Sequence, residues 1–190
     1  AQVALLALLA GAAFLFDHGL LVPLIAGGGV CLWYSAQLKR TPIADVAAMI
    51  AWGVTMPLCG VPLHDMLGLG GALALQLGLF SGVFECIQVM RDADEDALEG
   101  VRTTGVVLGQ RWTLALTRVL MVTSSVYALL VLHPIAAAIT FVALLLPFLA
   151  DRLETYWTRV KLVYGVAWLF LCVASFLNGH SSGLLWTIGR

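Results

Sequence analysis

Charge is what this sequence has least of. Asp, Glu, Lys and Arg make up 11% of it and hydrophobic residues 61%, whereas an ordinary soluble domain carries about 25% and roughly 45 to 50%. A normally hydrated surface is thereby excluded, and residues 1–190 read as a single integral membrane domain. Strict apolar/polar alternation is missing from every segment, which excludes the pattern of a membrane strand and with it a barrel. No internal repeat, soluble domain or low-complexity linker interrupts the chain. None of the four cysteines, Cys31, Cys59, Cys86 and Cys172, pairs as CxxC. All lie in or at the ends of apolar runs and read as small hydrophobes in helix packing.

What is there is a series of apolar runs of near-membrane length, about 20 residues or slightly fewer. Charged and Pro/His punctuation divides the chain into seven expected helices, at about 1–16, 19–34, 42–60, 66–91, 111–132, 134–150 and 161–178. The fold class is therefore all-α, a polytopic membrane bundle. Lys39 and Arg40 fall in the second loop, Arg91, Arg102 and Arg111 in the fourth, Arg152, Arg159 and Lys161 in the sixth. The positive-inside rule puts these loops on the cytoplasmic side, of the inner membrane if the source is bacterial. The opposite loops lack Lys and Arg and carry His18, His64 and His133, with His180 beyond the last helix. Without ligand-like spacing these histidines read as interfacial polar residues. The opening "AQVALLALLA" has no basic leader region and reads as the start of a span, not as a signal peptide.

The acids concentrate in one stretch, "FECIQVMRDADEDALEGVRTTGVVLG". If the fourth helix runs on through it at about 100° per residue, with Glu85 at zero, Gln88 falls near −60°, Asp92 near −20°, Asp96 near +20° and Glu99 near −40°. Asp94 comes out opposite, and Glu95 at the edge. A charged helix end in water accounts for Asp94, Glu95 and Glu99. It does not account for Glu85, about 10 Å inside the span from Asp92, where an ionisable group is costly unless it faces a polar cavity or a partner charge.

Carboxylates stacked on one stripe repel one another unless cations lie between them. Magnesium takes hard oxygen ligands, commonly one or two carboxylates together with a substrate's phosphates. Asp92 and Asp96, one turn apart, therefore suit a Mg2+–diphosphate site, and the membrane setting suggests a lipid substrate. Tyr34, Lys39 and Arg40 of "YSAQLKR", together with Arg102, are candidate phosphate contacts, although the positive-inside rule alone also places cations there. Gly100, Gly105 and Gly109 fit a turn between helices. Arg118, on one face with Arg111, either snorkels to the headgroups or pairs with an acid inside the bundle. With Gln88 it is a possible cavity-lining residue. Trp33, Tyr34, Trp112, Tyr156 and Trp157 lie where an interfacial belt is expected, with Trp52 deeper.

"DADEDALEGVRTTGVVLG" resembles the second aspartate-rich motif of the UbiA-type intramembrane prenyltransferases. The matching positions are Asp92 and Asp96 for DxxxD, Gly100, Arg102, Thr103 with Thr104, and the closing Leu108 and Gly109; Glu85 stands where the family places Asn or Asp. "YSAQLKRTP" is similar to the family's Tyr-Ser-Pro-Pro segment ending in Leu-Lys, here with the prolines absent and the spacing shorter. The resemblance implies helices three to nine of a nine-helix fold, with a first motif of NDxxDxxxD type expected upstream. It also implies Mg2+-dependent transfer of a polyprenyl group from a polyprenyl diphosphate to an aromatic or quinone-precursor acceptor within the membrane. Asp92 and Asp96 would be catalytic metal ligands and Glu85 a deeper ligand or an orienting group. Tyr34, Lys39, Arg40 and Arg102 would hold diphosphate. The expected partners are that lipid diphosphate, its acceptor and membrane lipid, with no nucleic acid. A terpene cyclase on the same fold, a noncatalytic membrane subunit and a transporter using Glu85 with Arg118 are the competing readings.

Overall fold

The computed structural model describes residues 2–16, 18–148 and 150–177; His180 lies outside them. The described residues are predominantly helical, without a strand. The elements are α1 (Gln2–Phe16), α2 (Leu21–Ala36), α3 (Ala44–Leu58), α4 (Leu69–Arg91), α5 (Ala93–Leu98), α6 (Thr104–Tyr127), α7 (Pro134–Val142) and α8 (Leu153–Leu177). Four helical stretches are long and apolar enough to cross a membrane: His18–Ala36, Leu69–Arg91, Thr104–Leu132 and Ala150–Leu177. Two apolar helices, Ala44–Leu58 and Pro134–Leu145, are shorter.

The apolar stretch of α4 is 67% buried, against 17% to 28% for the other three, so α4 is the central helix. It packs on α3, α6 and α8. Small residues let it do so. A Cβ on Gly78 would fall 2.9 Å from the Ile50 carbonyl oxygen of α3, and one on Gly53 would fall 2.2 Å from Ser81 Oγ of α4. Without a hydrophobic drive between helices in lipid, this close approach is what yields packing energy. Phe80, Val83 and Ile87 of α4 meet Met121 of α6 and Val160 and Tyr164 of α8 in the main core. Phe80 stacks on Tyr164 at 4.2 Å.

Several boundaries differ from the sequence reading. The fifth helix was expected from 111, but α6 starts at Thr104 and only kinks at Gly109 (φ 70°, ψ 169°). Two caps set that start: Thr103 Oγ1 accepts from Val106 N at 3.4 Å, and a carboxylate from α3 binds the Thr104 amide. Of the three glycines expected in one turn, Gly100 alone ends a helix. With φ 70° it closes α5, as Val101 N donates to Asp96 O and Gly100 N to Ala97 O, a Schellman cap. The sixth helix stops at Val142, passes through a 3-10 turn to Leu145 and falls short of 150. The last begins at Leu153, earlier than expected.

Candidate functional site

The fourth helix does not run straight through the acids. Asp92 (φ −88°, ψ 0°) ends α4 and precedes α5. Backbone bonds Asp92 N to Gln88 O and Asp96 N to Asp92 O, each 2.9 Å, bracket the bend. Asp96 therefore stays one turn beyond Asp92, but the five-residue stripe expected from an unbroken helix is not formed. Glu85 and Asp96 are buried, at 4% and 6% exposure. Asp92 is half-buried, whereas Gln88, Asp94, Glu95 and Glu99 are exposed.

Each inward acid has a partner from the second loop or from α2. Tyr34 Oη donates to Glu85 Oε1 at 2.8 Å. Lys39 Nζ lies 3.8 Å from Asp96 Oδ1. Asp92 instead accepts from Arg91 Nε at 2.7 Å, and Arg91 also reaches Glu154 of α8 at 3.3 Å. These contacts gather the ends of α2 and α4 and the start of α8 at one end of the bundle. Arg40 and Arg102 are exposed there and make no ion pair among the described residues.

A residue the sequence reading passed over anchors this end. Asp45, in the first turn of α3, is fully buried. Its carboxylate accepts from Thr104 N at 2.7 Å, from Val46 N at 2.8 Å and from the Thr104 hydroxyl. Thr104 Oγ1 in turn accepts from Ile43 N at 2.6 Å, holding Ile43 at φ 68°, a conformation costly for a β-branched residue. The knot ties the Lys39–Arg40 loop to the chain just after the acids. The only local signal was an acid in "TPIADV", which reads as an ordinary helix-start residue.

Asp45, Asp92 and Lys39 are the charged groups that act on Glu85; Asp45 and Asp96 also act on the Tyr34 hydroxyl. At this end of the bundle four carboxylates, Asp45, Glu85, Asp92 and Asp96, meet two paired cations, Lys39 on Asp96 and Arg91 on Asp92. Among the described residues no three His, Cys, Asp or Glu side chains converge as a ready-made metal cage. An oxygen-only pair such as Asp92 and Asp96 matches the hard-ligand preference of Mg2+ when substrate phosphates complete its shell.

Beside the acids an apolar cavity of about 600 Å3 runs between the first three helices. Leu9 of α1, Leu24 and Cys31 of α2, and Met49, Trp52 and Met56 of α3 wall it; Tyr34 and Ser35 border it too. Gln88 and Arg118 do not line it. Arg118 is exposed and acts on Tyr156 of α8, away from Glu85. Tyr156 is itself buried at 4%, unlike the exposed Trp33 and Trp112, and so departs from the interfacial belt. Cys86 is buried, whereas Cys31 and Cys172 are exposed, and all four cysteines are free. His133 caps α7, its Nδ1 accepting from Ile135 N at 3.1 Å.

Set against known proteins, the chain matches no family model, no curated protein and no solved structure.

Proposed function

We propose that this chain is the membrane domain of a Mg2+-dependent prenyltransferase of UbiA type, moving a polyprenyl group from its diphosphate to an aromatic or quinone-precursor acceptor. The observation that carries this reading is the junction at Tyr34. Its ring borders the 600 Å3 apolar cavity while its hydroxyl bonds the buried Glu85. A hydrocarbon tail beside a charged head is the chemistry that such a junction fits.

In this reading α1, α3 and α7 cross the membrane with the four longer spans, giving seven crossings with the acidic loop cytoplasmic. Asp92 and Asp96 would hold Mg2+, which supplies neutralisation of the charge on the departing diphosphate. Lys39, Arg40 and Arg102 bind diphosphate oxygens, and Lys39 exchanges its contact with Asp96 for phosphate. Tyr34 holds the Glu85 carboxylate in one orientation at the mouth of the cavity. The apolar walls keep water from the allylic carbon as the C–O bond ionises.

In the full-length natural protein, Asp92→Asn and Asp96→Asn should each lower Mg2+-dependent transfer from a labelled polyprenyl diphosphate by ~100-fold. Undiminished turnover in both variants rejects the ligand assignment. Prenyl product formed without any acceptor identifies a cyclase instead.

A further inference from the structure

Some cations at the polar end of the bundle are already engaged. Arg91 pairs with Asp92 and Glu154 and lies 4.7 Å over the Trp157 ring, with Lys161 at 3.7 Å on that ring too. Lys39 faces Asp96. Three arginines remain that share one place. Arg152, Tyr156 and Arg159 stand at i, i+4 and i+7, on one face of the N-terminal turns of α8 and the 3-10 turn before it. Tyr156 Oη donates to the Met121 sulfur of α6 at 3.9 Å, and Arg118 lies one turn before Met121 on that helix, close enough to act electrostatically on the tyrosine.

Pro147, Arg152, Thr155, Tyr156 and Arg159 line a small concavity of about 30 Å3. That is room for a few oxygen-sized atoms, far too little for a prenyl chain. Arg118 and Arg159 have no carboxylate within ion-pair distance among the described residues, and Arg152 has only the exposed Asp151 at 3.8 Å. Arg152 and Arg159 thus share a hollow to which no buried carboxylate among the described residues is paired, an arrangement that attracts an anion. The planar fork of arginine fits phosphate oxygens two at a time. A hydroxyl from Thr155 completes the set.

We infer that the hollow at the start of α8, with Arg118 of the adjoining α6 beside it, is a phosphate-binding site, separate from the carboxylate cluster. A phospholipid headgroup and a free phosphate offer the same chemistry to it. Basic pockets between membrane helices hold anionic headgroups in this manner. The site does not depend on the prenyl-transfer reading.

The test is retention of phosphatidylglycerol by the full-length protein released from mixed phosphatidylcholine/phosphatidylglycerol nanodiscs, counted by native mass spectrometry. A parallel arm follows the melting temperature in neutral detergent during titration with inorganic phosphate. Wild type should retain phosphatidylglycerol several-fold better than R118Q/R152Q/R159Q, with R118Q and R159Q alone each showing part of the loss and R111Q none. R159K, which keeps charge but loses the fork, should fall between. Protection by phosphatidylglycerol alone identifies a headgroup ligand. Protection by inorganic phosphate that the triple variant lacks identifies a soluble one. Equal retention by wild type and both single variants, with no phosphate-dependent difference in melting, overturns the proposal.

Discussion

Asp45 shows how much one buried carboxylate can organise. It satisfies two amides and a hydroxyl from two different segments. A hydrogen bond to a charged group contributes about 1.5–3 kcal/mol, and an orphaned buried donor costs about as much. Asp45→Asn turns one acceptor oxygen into a donor facing another donor, so the loss should be about 2 kcal/mol or more, read as a lower melting temperature in detergent. Thr104→Val removes the other half of the knot. The double variant should lose clearly less than the two single losses added, because both delete one shared network; strict additivity would sever the coupling. Glu85, Asp92 and Asp96 were legible in the chain because they fall at helical spacing on an apolar run. Asp45 was not, because its meaning depends on Thr104, 59 residues away.

At the scale of elements, the acidic stretch shows where a straight-helix reading stops serving. Phase placed Asp96 one turn beyond Asp92, and the Asp96 N to Asp92 O bond preserves that. The bend at Asp92 and the cap at Gly100 then redirect the side chains, so that Asp92 faces Arg91 and Asp96 faces Lys39. The start of α6 depends on equally close fit. A Cβ on Gly105 would lie 1.9 Å from the Val89 carbonyl oxygen of α4, closer than any real contact. Gly105→Ala must push α6 away from α4 and strain the Thr104–Asp45 bonds. The expected result is a loss of about 1–3 kcal/mol, together with faster proteolysis between Glu99 and Arg111. A variant as stable as wild type would mean that α6 does not pack this tightly. The three glycines looked alike in sequence, but one ends α5, one admits a neighbouring backbone and one kinks α6.

For the whole molecule, seven crossings and four give different topologies. With seven, the loops holding Arg102 and Lys39 share a side, and the loop holding His64 lies on the other. In a background with Cys31, Cys59, Cys86 and Cys172 replaced by serine, Arg102→Cys should react with a membrane-impermeant maleimide only from the cytoplasmic face. His64→Cys should react only from the opposite face. Labelling of both from one face would show that α3 and α4 do not lie across the membrane in succession. The hydrogen bonds put the ends of α2 and α4 with the starts of α3, α6 and α8.

The sequence by itself determined the helical class and pointed to a membrane as the solvent. A chain this apolar must satisfy its backbone internally, and helices do so within each segment using local bonds alone. It also marked the acidic stretch, since helical phase needs only neighbours along the chain. Tertiary structure decided which acid meets which cation, where α6 begins and where the apolar cavity opens. Those outcomes depend on close approach between segments far apart in sequence, through Gly53, Gly78 and Gly105, and on a buried aspartate whose partners no local pattern reveals.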